Sequence, residues 1–226
     1  MRISLSRSIM IFFLSAGMMT FISCESTESK KENETVVSTS EEEMTKYIAQ
    51  LELALAQNSS WFSHWSAKVG SFESSDFALV LTDSIDPMEM PEKNPILIDD
   101  PLFPYQLLHP TGNGTMDLYS YKVEVSENID KPFLNPDSEV IWYREDGMKE
   151  RLLFMGPSGM FEDGMWLNEK EFLVLGYFQD DVGFRPMAWL IDVENHLLRQ
   201  FRLEKTSPDY DSESYIIQKI KLVDLS

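Results

Sequence analysis

The residues with the clearest binding chemistry surround one predicted β-turn. Asp146-Gly147 favours a two-residue hairpin turn, because both turn positions require positive φ. With that turn, Trp142 lies opposite Arg151, and Arg144 and Lys149 lie near them on the same face. We predict that this basic patch beside an indole ring either binds an anionic ligand or offsets neighbouring acidic side chains.

Tryptophan side chains form a second group of candidates. Trp61 and Trp65 lie just after a predicted helix, and Trp142 lies in a predicted strand. Exposed aromatic rings can stack on sugar rings or anchor a protein partner. The alternative is that these rings pack in the hydrophobic core. We retain all three tryptophans as ligand-binding candidates.

The sequence lacks the usual catalytic and metal-binding motifs. His64, His109 and His196 are far apart and form no His-Glu-x-x-His pattern. The chain has neither a Gly-x-Ser-x-Gly elbow for a nucleophilic serine nor a Gly-rich phosphate-binding loop. Its single cysteine forms no internal disulfide and no cysteine-based zinc cluster. We therefore expect no cofactor and no metal, and we favour binding over catalysis.

Neighbouring carboxylates leave a hydrolase as the alternative function. Asp99-Asp100 and Asp180-Asp181 are acidic pairs, and a third acidic group spans residues 209–213. Hydrolysis of a glycosidic bond needs two carboxyl groups about 5–10 Å apart in one cleft. Adjacency in a loop does not bring such groups together in a cleft. A glycan-acting hydrolase with aromatic platforms is therefore the second hypothesis.

The composition of the chain excludes two broad classes of protein. Among 226 residues, 38 are acidic and 19 are Lys or Arg, so the formal net charge is −19. A phosphate backbone is bound by Lys and Arg, which are the minority here, so a nucleic acid is not an expected partner. Apolar residues make up 43% of the chain and aromatic residues 12%, which is too many for a wholly disordered protein.

The first 23 residues have the pattern of an export signal. Arg2 and Arg7 precede an apolar stretch that ends at Ser23-Cys24 and is too short for a membrane-spanning helix of about 20 residues. The ending Phe21-Ile22-Ser23-Cys24 resembles the lipobox of bacterial lipoproteins. The resemblance implies cleavage before Cys24 and transfer of a diacylglycerol to its thiol. A cleaved secretory peptide and an uncleaved anchor are the alternatives.

The resemblance also implies a location. In the lipoprotein family an Asp after the cysteine often favours the inner membrane, and here that residue is Glu25, so we expect a bacterial outer membrane. Loss of residues 1–23 removes Arg2 and Arg7 and no acid, which leaves 17 basic and 38 acidic residues and a net charge of −21. Anionic headgroups repel such a chain, so its attachment to the bilayer must come from the acyl chains on Cys24.

An acidic tether and one helix precede the main domain. Residues 24–40 contain no aromatic side chain and few large apolar ones, which is typical of a flexible tether. Ser40 and Glu43 form a capping box, and apolar residues follow at helical spacing, which predicts an amphipathic helix over about 41–57. Residues 41–226 are predicted to form a single globular domain.

Residues from about 70 to 226 are predicted to be rich in β-strands. Short apolar or alternating runs predict strands at 77–82, 119–125, 172–178, 187–191, 197–203 and 215–223, and a hairpin over 139–155. The run over 172–178 is almost wholly apolar, which is typical of a central strand covered on both sides. The fold class we predict is mainly β, an antiparallel sandwich or an open meander of small sheets.

Part of this region resembles one blade of a β-propeller. The resemblance covers about residues 164–203, where Trp166-Leu167-Asn168 lies at a turn into an inner strand and Trp189-Leu190-Ile191 lies in an outer strand. At roughly 40–45 residues per blade, about 160 residues provide fewer than four blades, and four is the practical minimum for a closed propeller. The sequence therefore predicts partly blade-like sheets but no complete propeller.

These features together predict a membrane-anchored lipoprotein outside the cytoplasm. Its domain is expected to be a non-catalytic binding or structural module of the cell envelope. The expected partners are the lipid bilayer, reached through acylated Cys24, and an envelope protein or a glycan. The candidate ligand-binding residues are Trp61, Trp65, Trp142, Arg144, Lys149 and Arg151.

Overall fold

A computed structural model describes residues 40–124, 133–210 and 212–220. The predicted signal segment 1–23, Cys24 and most of the predicted tether lie outside the described residues, as does the predicted strand end at Val125. Within the described part of the chain, no helix is long and apolar enough to cross a membrane.

The first helix, α1 (Glu41–Gln57), begins as its capping box predicts. The Ser40 hydroxyl accepts a hydrogen bond from the Glu43 backbone N–H at 3.2 Å, and the Glu43 carboxylate accepts one from the Ser40 backbone N–H at 3.1 Å. Three glutamates in the first turn suit the positive end of the helix dipole. Tyr47, Leu51 and Ala54 lie on the buried face.

A second helix, α2 (Ser59–Val69), follows directly and was not predicted. Asn58 separates the two helices with φ −98° and ψ 49°, and its side-chain amide donates to the carbonyl of Ala54 at 3.0 Å. This cap ends α1 where the sequence predicts its end, and α2 begins at the next residue. Trp61 and Trp65 on α2 are completely buried.

The β-structure comprises twelve strands among the described residues. They are β1 (Phe77–Ser84), β2 (Met88–Pro91), β3 (Leu107–Leu108), β4 (Gly114–Asp117), β5 (Val123–Glu124), β6 (Phe133–Leu134), β7 (Ser138–Arg144), β8 (Met148–Met155), β9 (Gly159–Trp166), β10 (Glu171–Asp180), β11 (Gly183–Asp192) and β12 (Leu197–Leu203). Short 3-10 helices cover Ser74–Asp76 and Phe103–Tyr105, and a third α-helix, α3 (Ser212–Lys219), follows β12.

Ten of these strands form two antiparallel sheets. The first has the order β1-β12-β11-β10-β9, and the second has the order β2-β8-β7-β4-β3, while β5 and β6 pair separately. Apolar residues from both sheets and from the helices belong to one core cluster. The sheets approach each other at β9, where the Ser138 hydroxyl of β7 accepts a hydrogen bond from the Phe161 N–H at 3.2 Å. The predicted fold class, mainly β and antiparallel, is confirmed.

Strand β10 occupies the interior of the first sheet. Phe172, Leu173, Val174 and Leu175 are almost inaccessible to solvent, as the apolar run predicted for a strand covered on both faces. The hairpin of β11 and β12 also forms where the sequence predicted it. Residues 164–203, for which a partly blade-like arrangement was predicted, therefore belong to a meander of four strands to which β1 adds a fifth, and the described residues show no blade-like propeller topology.

The β7–β8 hairpin differs from the predicted register. Its turn has three residues, Glu145 to Gly147, with Gly147 at φ +85°. The two strands keep the predicted pairing of Val140 with Leu153, but a bulge on β8 shifts the later pairs by one residue. Trp142 therefore lies opposite Glu150 and not opposite Arg151, which was the prediction.

Two predicted strands do not form as predicted. Over 119–125 only Val123–Glu124 is a described strand, because the Asp117 carboxylate accepts hydrogen bonds from the N–H groups of Tyr119 and Ser120 and turns the chain. Over 215–223 the described residues belong to α3 and its end. Ile216 and Ile220 are four residues apart, so their spacing fits a helix as well as a strand.

Candidate functional site

A cleft of about 610 Å³ opens where turns of both sheets meet. One side comes from the β3–β4 turn and the β7–β8 hairpin, and the other comes from the β9–β10 and β11–β12 turns. Its lining is mostly polar and charged, and consists of His109, Thr111, Asn113, Trp142, Arg144, Glu145, Asp146, Glu150, Glu169, Lys170, Val193, Glu194 and His196. It brings an aromatic ring together with charged and polar groups in a concave site, so it is a candidate binding site.

Glu150 is the buried carboxyl group of this cleft. Its side chain is 2% exposed and is paired with the guanidinium of Arg144, which also pairs with Asp146 and, at 3.3 Å, with Glu89. The hydrogen bond to Glu150 is the main reason that the pKa of Arg144 is raised. A planar guanidinium shared among carboxylates holds Glu150 and Asp146 in fixed positions.

His196 joins the two sheets across the cleft. It lies in the β11–β12 turn of the first sheet, and its Nε2 lies 3.2 Å from Oε2 of Glu150 in the second sheet. Its φ of +50° is in the left-handed region, where it is the only non-glycine residue among those described. A non-glycine residue in this conformation costs roughly 1 kcal/mol, so the contact with Glu150 is made from a strained turn position.

His109 is fixed in place by contacts at both of its ring nitrogens. Its Nε2 lies 2.8 Å from the carbonyl oxygen of Glu169, which can only accept, so Nε2 carries the proton. Its Nδ1 accepts from the Thr111 N–H at 3.2 Å and lies 2.8 Å from the Thr111 hydroxyl. Both ring nitrogens are therefore occupied, and His109 fixes the β3–β4 turn to the β9–β10 turn.

Trp142 supplies the aromatic wall of the cleft. The Arg144 guanidinium carbon lies 6.0 Å from the centre of its ring, the ring of His109 lies nearly parallel at 6.2 Å, and Trp166 packs edge-on at 6.2 Å. The predicted contact between Trp142 and Arg144 is thus present, on one face of the hairpin.

The other two predicted cations do not join this site. Lys149 pairs with Glu92 at 3.1 Å and lies over the ring of Tyr143, while Arg151 pairs with Glu139 at 3.3 Å. Strand alternation and the bulge on β8 separate them from Arg144, so the described residues form no continuous basic patch. Each cation offsets neighbouring acids, which is the alternative that the sequence left open.

Trp61 and Trp65 lie in the core and have no exposed ring face. Their indole N–H groups both donate to Oε2 of Glu162, at 2.8 and 3.0 Å. The hydroxyl of Tyr210 donates to the other oxygen at 2.6 Å. These two tryptophans therefore satisfy a buried carboxylate, which is a role that sequence reasoning did not identify.

Glu162 and its neighbour Asp163 form a second cluster, which we call the buried carboxylate pair. Both side chains are almost completely inaccessible. Asp163 accepts a hydrogen bond from the Tyr215 hydroxyl at 2.5 Å and pairs with the Lys219 ammonium at 3.0 Å. Successive strand residues normally point to opposite faces, but a bulge at Glu162 lets both carboxylates reach the layer of α2 and α3.

The partner strand permits this bulge because it carries a glycine. A Cβ at Gly176 of β10 would lie 1.9 Å from the carbonyl oxygen of Met160, so any larger residue would push β9 away. Burial raises the pKa of Glu162 to about 7, against hydrogen bonds from Tyr210, Trp65 and Trp61 that lower it. The signal available in the sequence was Glu162-Asp163 itself, two adjacent acids inside an otherwise apolar strand.

Comparison with known proteins gives no family for this chain. No protein-family model, curated protein or solved structure matches it. Within the described residues, no group of three His, Cys, Asp or Glu side chains is placed to hold a metal ion.

Proposed function

We propose that the chain is a lipid-anchored protein of the bacterial cell envelope that binds a ligand or partner without chemical turnover. Its anchor is the acylated thiol of Cys24, its membrane is the outer membrane, and its binding site is the cleft around Trp142 and Arg144. The lipobox-like residues 21–24 support the anchor. The cleft supports the binding role.

The observation that carries the binding role is the pairing of charges within the cleft. Arg144 is shared among three carboxylates, and Glu150 also bonds to His196 from the other sheet. Such mutually satisfied side chains hold a fixed shape, and binding sites gain affinity when their groups are positioned before the ligand arrives. A partner of the cleft is an envelope protein or a glycan that meets Trp142 and the surrounding polar groups.

The same pairing of charges in the cleft argues against the alternative function, a glycan-acting hydrolase. A glycosidase needs one carboxyl group that keeps its proton near neutral pH and donates it to the leaving oxygen. Glu150 and Asp146 in the cleft both accept hydrogen bonds from the guanidinium of Arg144, so both carboxyl groups are engaged as acceptors. The carboxyl group with a raised pKa, Glu162, lies instead among Trp61, Trp65 and Tyr210 in the core.

The anchor is tested by metabolic labelling with an alkyne fatty acid. The wild-type chain should incorporate label and fractionate with outer membranes, and Cys24→Ala should lose the label and leave the membrane fraction. Labelling that persists in Cys24→Ala, or that never occurs in the wild type, contradicts the proposed anchor.

The cleft is tested by photo-cross-linking in intact cells. A photoreactive residue at exposed Glu169, on the rim, should give a reproducible adduct that disappears with Trp142→Ala. The same residue at Leu53, which is exposed on α1, is the matched control. Equal adducts from both positions, or none from Glu169, contradict a binding role for the cleft.

A further inference from the structure

The cleft around Trp142 has an excess of acidic side chains in its lining. The acidic residues are Glu145, Asp146, Glu150, Glu169 and Glu194, and the basic residues are Arg144 and Lys170. With five acidic and two basic side chains and the histidines counted as neutral, the formal charge of the lining is −3. A concave site with such an excess attracts cations and repels anions, because its low-dielectric walls focus the field of the charges.

Both basic side chains of the lining are already engaged. Arg144 is shared among three carboxylates, and Lys170 pairs with Glu194. An anionic ligand would have to compete with these carboxylates for each cation. The cleft therefore does not fit the anionic ligand that was one interpretation of the sequence.

Two acidic side chains of the lining, in contrast, have no cation. Among the described residues, neither Glu145 nor Glu169 forms an ion pair. Glu145 lies in the β7–β8 turn and Glu169 lies in the β9–β10 turn, so they belong to opposite sides of the cleft, and both are exposed. A cationic group that enters between them gains carboxylate acceptors that no described cation uses.

Arg144 shows which kind of group this environment holds. Its guanidinium contacts carboxylates and lies 6.0 Å from the centre of the Trp142 ring. Guanidinium and ammonium groups are attracted to carboxylates and also to aromatic rings, most strongly to the indole of tryptophan. A second cation in the cleft would meet the same two kinds of group.

We propose that the cleft binds an arginine or lysine side chain on a basic segment of an envelope protein, with Glu145 and Glu169 as its carboxylate partners. This inference rests on the proposed binding role of the cleft and names the chemistry of its partner. A protein is favoured over a glycan, because lysine and arginine are fixed cations, whereas the hydroxyl, carboxylate and phosphate groups of glycans are neutral or anionic.

A control variant is needed because the whole chain is acidic. Its formal charge is −19, so any basic peptide is attracted to its surface. Glu52 on α1 and Asp181 in the β10–β11 turn are exposed, lie outside the cleft and form no ion pair among the described residues. The double variant Glu52→Gln, Asp181→Asn therefore removes the same formal charge as Glu145→Gln, Glu169→Gln, but away from the cleft.

Binding of a fluorescent tetra-arginine peptide, measured by anisotropy at physiological ionic strength, tests the proposal. Glu145→Gln, Glu169→Gln should weaken binding roughly tenfold, since each lost ion pair weakens it a few-fold, and the control double variant should stay within about twofold of the wild type. A tetra-glutamate peptide and a neutral N-acetylglucosamine tetramer should not compete. Equal losses in the two double variants, or no binding of tetra-arginine to the wild type, would overturn the proposal.

Cross-linking in intact cells separates failure of this inference from failure of the binding role. A photoreactive residue at exposed Asn113, on the rim, leaves every carboxylate of the cleft in place. Its adduct should contain a protein segment with lysine or arginine and should decline in Glu145→Gln, Glu169→Gln. An adduct with a glycan, or one that persists in the double variant, would overturn this inference and retain the binding role. The absence of any adduct would contradict both.

Discussion

Glu150 on β8 and Glu162 on β9 are both buried glutamates, yet the chain satisfies them in different ways. Glu150 lies at the floor of a cleft and faces a guanidinium and an imidazole. Glu162 lies in the core and accepts hydrogen bonds from two indoles and a phenol. A cation next to a carboxylate favours its ionised form, whereas neutral donors offset desolvation only in part. The difference teaches that one buried acid is held by charged side chains, whereas the other is held by neutral donors and has its pKa raised to about 7 by burial.

The largest expected effect comes from removing the core carboxylate. Glu162→Ala leaves the N–H groups of Trp61 and Trp65 and the hydroxyl of Tyr210 without their acceptor in a buried site. At about 1–3 kcal/mol for each unsatisfied group, we expect the free energy of unfolding to fall by about 4 kcal/mol.

Urea denaturation at pH 5.5 measures this loss. Glu162→Gln is the matched control, because it retains an acceptor for the indoles, and it should lie within about 1 kcal/mol of the wild type. Equal stability of Glu162→Ala and the wild type would contradict the view that this carboxylate organises the core.

The next effect is the pH dependence of stability. The pKa of Glu162 is raised from 4.5 to about 7 in the folded chain, so unfolding releases a proton between these values. The stabilisation is complete below pH 4.5, falls as pH rises through the window, and is lowest above pH 7, with a contribution of about 3 kcal/mol.

Denaturation midpoints at several pH values between 5 and 8 measure this contribution. In Glu162→Gln the fall in stability that Glu162 causes at rising pH should disappear. The contributions of the other titratable groups to the pH dependence should be the same in both chains. If the two curves run parallel, Glu162 does not carry the pH dependence, and the contrast with Glu150 is lost.

A smaller effect is expected at the cleft. Arg144→Ala removes the cation that faces buried Glu150, but the guanidinium is 31% exposed and Glu150 keeps its contact with His196. We expect the free energy of unfolding to fall by about 2 kcal/mol, below the usual cost of breaking a fully buried ion pair.

The double variant Arg144→Met, Glu150→Leu distinguishes the stabilising effect of the ion pair from the cost of leaving buried Glu150 without its cation. Because replacing both partners by apolar residues removes the desolvation cost, most of the lost stability should return. A double variant that is less stable than Arg144→Ala would mean that the pair itself stabilises the fold.

The smallest effect is expected at His196. His196→Asn keeps a side chain that tolerates positive φ and removes the 3.2 Å contact with Glu150, so a loss of about 1 kcal/mol is expected. His196→Ala should cost more, because it adds strain at φ +50°. Thermal unfolding of the two variants distinguishes the contact from the backbone strain, and equal losses would show that the turn is not strained.

Local sequence patterns were sufficient for much of the architecture. The capping box at Ser40 predicted the start of α1, and the apolar run at 172–178 predicted a buried central strand. The local patterns gave wrong predictions where a side chain redirects the backbone or where the spacing fits two structures. Asp117 turns the chain at 119–120, and the Ile216–Ile220 spacing fits a helix and a strand equally well.

Only part of the candidate site could be predicted. Trp142 and Arg144 do lie together, because a hairpin turn places nearby residues on one face. Lys149 and Arg151 do not join them, since one bulged residue changes the register. The contacts of Glu150 with His196 and of Glu162 with Trp61 join residues 46 and 101 positions apart, and no local pattern encodes such distances.

The sequence alone determined the acidic charge, the export-like start with its single cysteine, and the mainly β composition of the domain, because these depend on residue type and short-range spacing. The tertiary structure alone decided which charges meet. Two bulges, at Leu152 and Glu162, set which side chains face the cleft and which face the core. A bulge shifts every later side chain in the pairing by one position, and its location depends on packing between strands that the linear pattern does not record.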